Sequence, residues 1–148
     1  MIDTGTGFTA ISFSLLILSD FMQRYSKGAR CERELLNTLH GMSYSVIRSA
    51  GSGVNSISPD ILAIKNGKGL VFECKAWEKS SLSIDAEKYE ALREWEKNSG
   101  MQTFIAWRMS GESWFFIKLD EMKKTPKNYT VGKKLAFSIN RKLESIIC

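Results

Sequence analysis

The chain has 148 residues, of which 43% are hydrophobic, and its 21 Lys plus Arg against 16 Asp plus Glu give a net charge of +5. That length supports one domain with its own core and no staples, and the modest positive charge permits a polyanionic partner without demanding one. Cys31, Cys74 and Cys148 are odd in number and lack metal-ligand spacing, so they read as reduced thiols of a cytoplasmic protein; a lone histidine, His40, and the absence of a serine-nucleophile signature exclude histidine-based hydrolase chemistry.

Phe8 to Leu18 carries no charge, yet Thr9, Ser12 and Ser14 interrupt it, and neither a basic leader nor a small-residue cleavage site accompanies it. It is also shorter than the roughly 20 apolar residues that span a bilayer. Residues 1–21 are therefore expected to be an extension upstream of a natural start at Met22, residues 22–148 to form a single domain, and no membrane partner is expected. The first helix is predicted from Lys27 to Leu39, stopped by Gly41, with Cys31, Leu35, Leu36 and Leu39 on one face. Glu32 falls inside that apolar arc, where a carboxylate is costly unless it is paired or holds a metal. Arg33, about 100° around the helix, can face a phosphate or water.

Tyr44 to Ser49 reads as a strand with Arg48 near its end. The segment Ala50 to Pro59 that follows is small, polar and glycine-containing, either a plain linker or an arm whose hydroxyls and amides approach a sugar-phosphate chain. Ser49, at the end of the strand, and Ser52, within the segment, are candidate DNA contacts. Next come two short apolar runs, Ile61-Leu62-Ala63-Ile64 and Leu70-Val71-Phe72, joined by Lys65-Asn66-Gly67-Lys68, and Asn-Gly at the centre is a strong hairpin signal. A second helix is predicted from an N-cap at Ser83 to Ser99, ending at Gly100, with Ile84, Lys88, Ala91, Leu92 and Trp95 on its inward side. Lys88 either snorkels past these neighbours or reaches into the active cleft. Thr103 to Arg108 and Ser113 to Lys118 read as strands, and Leu135, Ile139, Leu143 and Ile146 recur at the spacing of a terminal amphipathic helix.

The hairpin turns a loose set of charged residues into a geometric proposition. With Asn66 and Gly67 central, Lys65 opposes Lys68, and stepping outward sets Asp60 opposite Glu73, with Cβ atoms roughly 5 Å apart. Lys75, two residues further, projects from the same face. A three-residue loop would instead put Asp60 and Glu73 on opposite faces. Two carboxylates that close repel unless a cation lies between them, and hard oxygen ligands suit magnesium or manganese. Two carboxylates, a metal and an ammonium converging on one point suit metal-assisted phosphodiester hydrolysis.

The element order is that of a mixed sheet flanked by helices, with the second helix as a crossover between parallel strands. The segments Lys27-Gly28-Ala29-Arg30-Cys31-Glu32-Arg33-Glu34-Leu35-Leu36 and Val46-Ile47-Arg48-Ser49-Ala50-Gly51-Ser52, then Pro59-Asp60, Phe72-Glu73-Cys74-Lys75 and Asn98-Ser99-Gly100, resemble the archaeal-type Holliday junction resolvases over about Lys27 to Lys118. The resemblance implies a restriction-endonuclease-like α/β fold with a mixed β-sheet, and a homodimer that nicks four-way DNA junctions in pairs with magnesium. It also implies Glu32, Asp60 and Glu73 as acidic metal-site residues, Lys75 as the catalytic lysine, and Arg33 and Arg48 as backbone contacts. Family members often carry glutamine where Lys88 stands. A restriction-type or repair endonuclease of the same fold, or a DNA-binding protein without catalysis, are the other readings.

Overall fold

The computed structural model describes residues 9–49 and 57–147. The chain begins with α1 (Thr9–Gly41), followed by β1 (Ser45–Arg48), β2 (Ile61–Lys65), β3 (Lys68–Ala76), β4 (Ser81–Asp85) and α2 (Ala86–Ser99). Then come β5 (Gln102–Arg108), β6 (Trp114–Lys118), β7 (Lys123–Lys124), β8 (Asn128–Gly132) and α3 (Lys133–Ile139), with short 3-10 turns at Leu119–Glu121 and Leu143–Ser145. Five strands make the main sheet in the order β1-β2-β3-β5-β6. All neighbours in it are antiparallel except β3 and β5, which the α2 crossover makes parallel as expected.

The turn between β2 and β3 has φ of 51° at Asn66 and 74° at Gly67. Both values are positive, as a two-residue turn matched to the twist of the strands requires. The register follows, from Lys65↔Lys68 out to Ile61↔Phe72. The side chains of β3 then alternate between two cores. Phe72 and Cys74 pack with Cys31, Leu35 and Leu39 of α1 and with Ile61, Phe104 and Phe116. The other side of the sheet carries Ile105, Trp107, Phe115 and Ile117, packed against Tyr89 and Leu92 of α2. Glu73, between Phe72 and Cys74, therefore points to the α2 side.

Several elements depart from the sequence expectations. α1 starts at Thr9 rather than Lys27, because no proline interrupts the chain before it and Gly28 is accommodated within the helix. Its N-terminal part leaves Phe13, Leu15, Leu16, Ile17, Leu18, Phe21 and Met22 exposed. Among the described residues no helix is long and apolar enough to cross a membrane. Ser83 does not cap α2. Ser81–Asp85 is a strand with Leu82 and Ile84 buried, and the cap is Asp85, whose carboxylate accepts from the Lys88 amide at 2.9 Å. β4 belongs to a second sheet of order β4-β8-β7. The expected C-terminal helix is cut at Asn140, which adopts left-handed φ of 46°. Arg141 then turns inward to Glu121 and the Phe116 carbonyl, so Leu143 reaches the α1 core from a separate 3-10 turn.

Candidate active site

The β2 strand ends at Ile61, yet Asp60 continues its pairing by other means. The Asp60 N–H donates to the Phe72 carbonyl at 3.1 Å, and its own carbonyl accepts from the Ser49 N–H at 2.9 Å. Its carboxylate accepts from the Cys74 N–H at 2.8 Å, satisfying a backbone donor of β3 that lies beyond the end of β2. Three hydrogen bonds thus pin Asp60 at the sheet edge, one step beyond the Ile61↔Phe72 pair and beside Glu73, much as the hairpin register places it. Burial pushes the Asp60 carboxyl up to about 7, helped by the negative charge of Glu73 and opposed by the Cys74 amide.

Glu73 is 3% exposed. Lys75, on the same face of β3, sets its ammonium 3.1 Å from Glu73 Oε1. Burial would lower the Lys75 pKa, but the charge and hydrogen bond of Glu73 outweigh it and raise the pKa above its ordinary value. Lys75 is therefore a cation and a hydrogen-bond donor at neutral pH, not a proton acceptor. From α2, Lys88 brings a second ammonium 3.3 Å from Glu73 Oε2. Lys88 thus turns its ammonium inward to Glu73 and not out to water.

Glu32 stands apart from this group. α1 packs on the opposite side of the sheet from α2. Arg48, paired with Ile61 across β1 and β2, points to that same side and meets Glu32. Its Nε donates to Glu32 Oε2 at 2.7 Å, and Nη2 lies 2.7 Å from the same oxygen. The hydrogen bond and charge of Glu32 hold the Arg48 pKa above its ordinary value. Glu32 is close enough for its charge to raise Asp60, yet no three His, Cys, Asp or Glu side chains among the described residues cluster tightly enough to hold an ion. Arg33 is exposed beside Glu32, and Ser49 is half-buried with its amide committed to Asp60. Ser52 lies outside the described residues.

A divalent cation suits two of the three expected carboxylates. Glu73 Oε2 is buried and accepts no hydrogen bond among the described residues, and the neighbouring Asp60 supplies a second hard oxygen donor whose charge Glu73 resists. Magnesium is commonly held by one or two carboxylates completed by water and substrate phosphate, so Asp60 and Glu73 fit it without a third. The thiols do not compete. Burial pushes Cys31 up to about 12 and Cys74 well above its ordinary range, and both are unbridged core residues.

Two backbone contributions have no counterpart in the sequence reading: the Cys74 amide that fixes Asp60, and the Ser58 carbonyl that accepts from Lys88 Nζ at 2.6 Å. The alternation of β3 carries a signal for the first, since Cys74 lies beyond the reach of β2. The second depends on how α2 packs and leaves no trace in spacing.

A family model described as archaeal Holliday junction resolvase (Hjc) matches residues 23–147. The chain belongs to this family. Among its relatives in the resolvase family, the crossover junction endodeoxyribonuclease Hjc of Methanocaldococcus jannaschii is 34% identical over 113 residues, 76% of this chain and 80% of that protein. The enzyme of the same name from Archaeoglobus fulgidus is 31% identical over 111 residues, 74% of this chain and 82% of that protein. The solved structure of Archaeoglobus fulgidus Hjc, a Holliday junction resolvase, superposes with a TM-score of 0.71 at 25% identity, covering 81% of this chain and 94% of that one. The fold is accordingly the restriction-endonuclease-like mixed α/β arrangement of the resolvases.

Proposed function

We propose that this chain is a magnesium-dependent endodeoxyribonuclease that resolves four-way DNA junctions by paired nicks, and that it does so as a homodimer in the cytoplasm. The observation that carries the chemistry is the buried Glu73 carboxylate, set beside Asp60 and bracketed by Lys75 and Lys88. Membership in the resolvase family supports the branched-DNA substrate. The unbridged thiols of Cys31 and Cys74 suit a reducing compartment.

In this reading Asp60 and Glu73 hold the cation. A magnesium or manganese ion held by these two carboxylates would supply Lewis-acid polarisation of the scissile phosphate and activation of water. Glu73 keeps Lys75 protonated and aimed across its face. Lys75 in turn donates to the attacking water or to the phosphoryl oxygens on which charge develops. The Cys74 N–H keeps the Asp60 carboxylate from swinging away, and two backbone hydrogen bonds fix the main chain that carries it, so little reorganisation accompanies the reaction. Arg48, oriented by Glu32 on the α1 side of the sheet, and exposed Arg33 are the phosphate contacts of this reading. Recognition of a junction rests on the path of its backbones, which such contacts measure without reading base edges.

The dimer follows from the product. Two ligatable duplexes result only when two strands are cut at symmetry-related positions, and closed two-fold symmetry presents two sites in fixed opposition. A mixed dimer carrying one Asp60→Asn subunit should nick one strand of a junction and stall, as read on a denaturing gel. Two cuts by that species in one encounter would contradict the arrangement.

A further inference from the structure

Lys88 sits in the first turn of α2, where the helix macrodipole disfavours a cation. A lysine used only for packing runs its stem along the core and returns its ammonium to water. Lys88 does the reverse. Its side chain is 15% exposed, and its Nζ lies 3.3 Å from Glu73 Oε2 while donating at 2.6 Å to the carbonyl of Ser58, two residues before Asp60. The other oxygen of Glu73 is taken by Lys75 at 3.1 Å. Each oxygen of this carboxylate therefore faces an ammonium, and Oε2, facing Lys88, accepts no hydrogen bond among the described residues.

Resting on the assignment of Asp60 and Glu73 as the metal pair, we infer that Lys88 is a built-in competitor of the divalent cation: its ammonium occupies the Glu73 oxygen the metal needs and holds down metal affinity in the DNA-free protein. A monovalent and a divalent cation sharing one partly buried carboxylate repel strongly, because solvent screens the pair poorly. An arriving DNA phosphate offers Lys88 another anion, and its transfer from Glu73 to that phosphate opens the carboxylate to the metal. Metal and DNA then bind with positive coupling, each raising the affinity for the other. Glutamine at this position, by contrast, brings no charge to the cleft.

The test is manganese binding to the DNA-free full chain, followed by the electron paramagnetic resonance signal of unbound ion. Lys88→Gln should tighten binding by about tenfold or more, Lys88→Arg should stay near wild type, and Glu73→Gln should lose the ion. Thermal unfolding checks that the variants are folded, and Lys88→Met repeats the measurement should the glutamine variant fail to fold. Unchanged or weaker binding in both neutral variants, with binding lost in Glu73→Gln, overturns the role of Lys88 and leaves the metal pair standing. Wild-type binding in Glu73→Gln overturns the metal pair itself.

Discussion

Glu73→Gln should slow junction cleavage by about a hundredfold or more, the loss expected when one group that stabilises the transition state is removed, while junction affinity measured without metal stays near wild type. The carboxylate is 3% exposed and faces two ammoniums, so it contributes to the site's charge balance and not to the DNA-contacting surface. The amide keeps the shape of the side chain but cannot offer an anionic oxygen to a cation, and it leaves Lys75 without the carboxylate that aims it. Gel-shift affinity in chelator and single-turnover nicking in magnesium, on the same junction, separate the two effects. Loss of binding together with cleavage, or an undiminished nicking rate, would show that Glu73 does not hold the metal.

The metal-free protein should carry a stability cost that grows with pH and originates at Asp60. Its carboxyl is raised from 3.8 to about 7 in the folded chain, by burial first and by Glu73 second. Between those two values the folded state holds a proton that the unfolded state has released. This group's contribution is therefore most favourable below about pH 4, declines as pH rises, and levels off above about pH 7, with about 2–4 kcal/mol lost across the window. Glu78 and Glu121 act in the opposite direction, since their hydrogen-bonded partners lower both pKa values. The quantity to measure is accordingly the difference between wild type and Asp60→Asn, by urea unfolding from pH 4 to pH 8 in chelator. Asparagine keeps an oxygen for the Cys74 amide and carries no charge, so the variant should gain on wild type as pH rises and be the more stable of the two at pH 8. Magnesium should narrow that gap by compensating the aspartate charge. Parallel profiles, or a variant that is less stable at pH 8, would contradict the burial and repulsion assigned to Asp60.

How much of this was legible in the sequence depends on the range of each interaction. The Asn66-Gly67 turn is local, and with it came the β2–β3 register and the common face of Glu73 and Lys75. The same register sets Asp60 beside Glu73, although past the Asp60 N–H to Phe72 carbonyl bond the ladder gives way to the carboxylate, which accepts from the Cys74 amide. Glu32 shows the limit of helical periodicity: the arc puts it on the core side of α1, but only the packing of α1 against the far side of the sheet sends it to Arg48. The second sheet left a signal that went unused, because Leu82 and Ile84 alternate with polar neighbours in the period of a strand while Ser83 matched a capping residue equally well. At the C-terminus the apolar spacing continues through Asn140, and the break depends on Arg141 finding Glu121 some 20 residues away. No periodicity encodes that contact.

The central claim is that the buried Glu73 carboxylate and the half-buried Asp60 carboxylate, completed by a divalent cation, cut branched DNA. Incubating the protein with a synthetic four-way junction and with a linear duplex of the same sequence, each with magnesium and with chelator, tests it most directly. The expected result is paired, symmetry-related nicks in the junction with magnesium alone and no comparable cutting of the duplex. Equal cutting of the linear duplex would contradict the junction substrate, and cutting in chelator would contradict the metal.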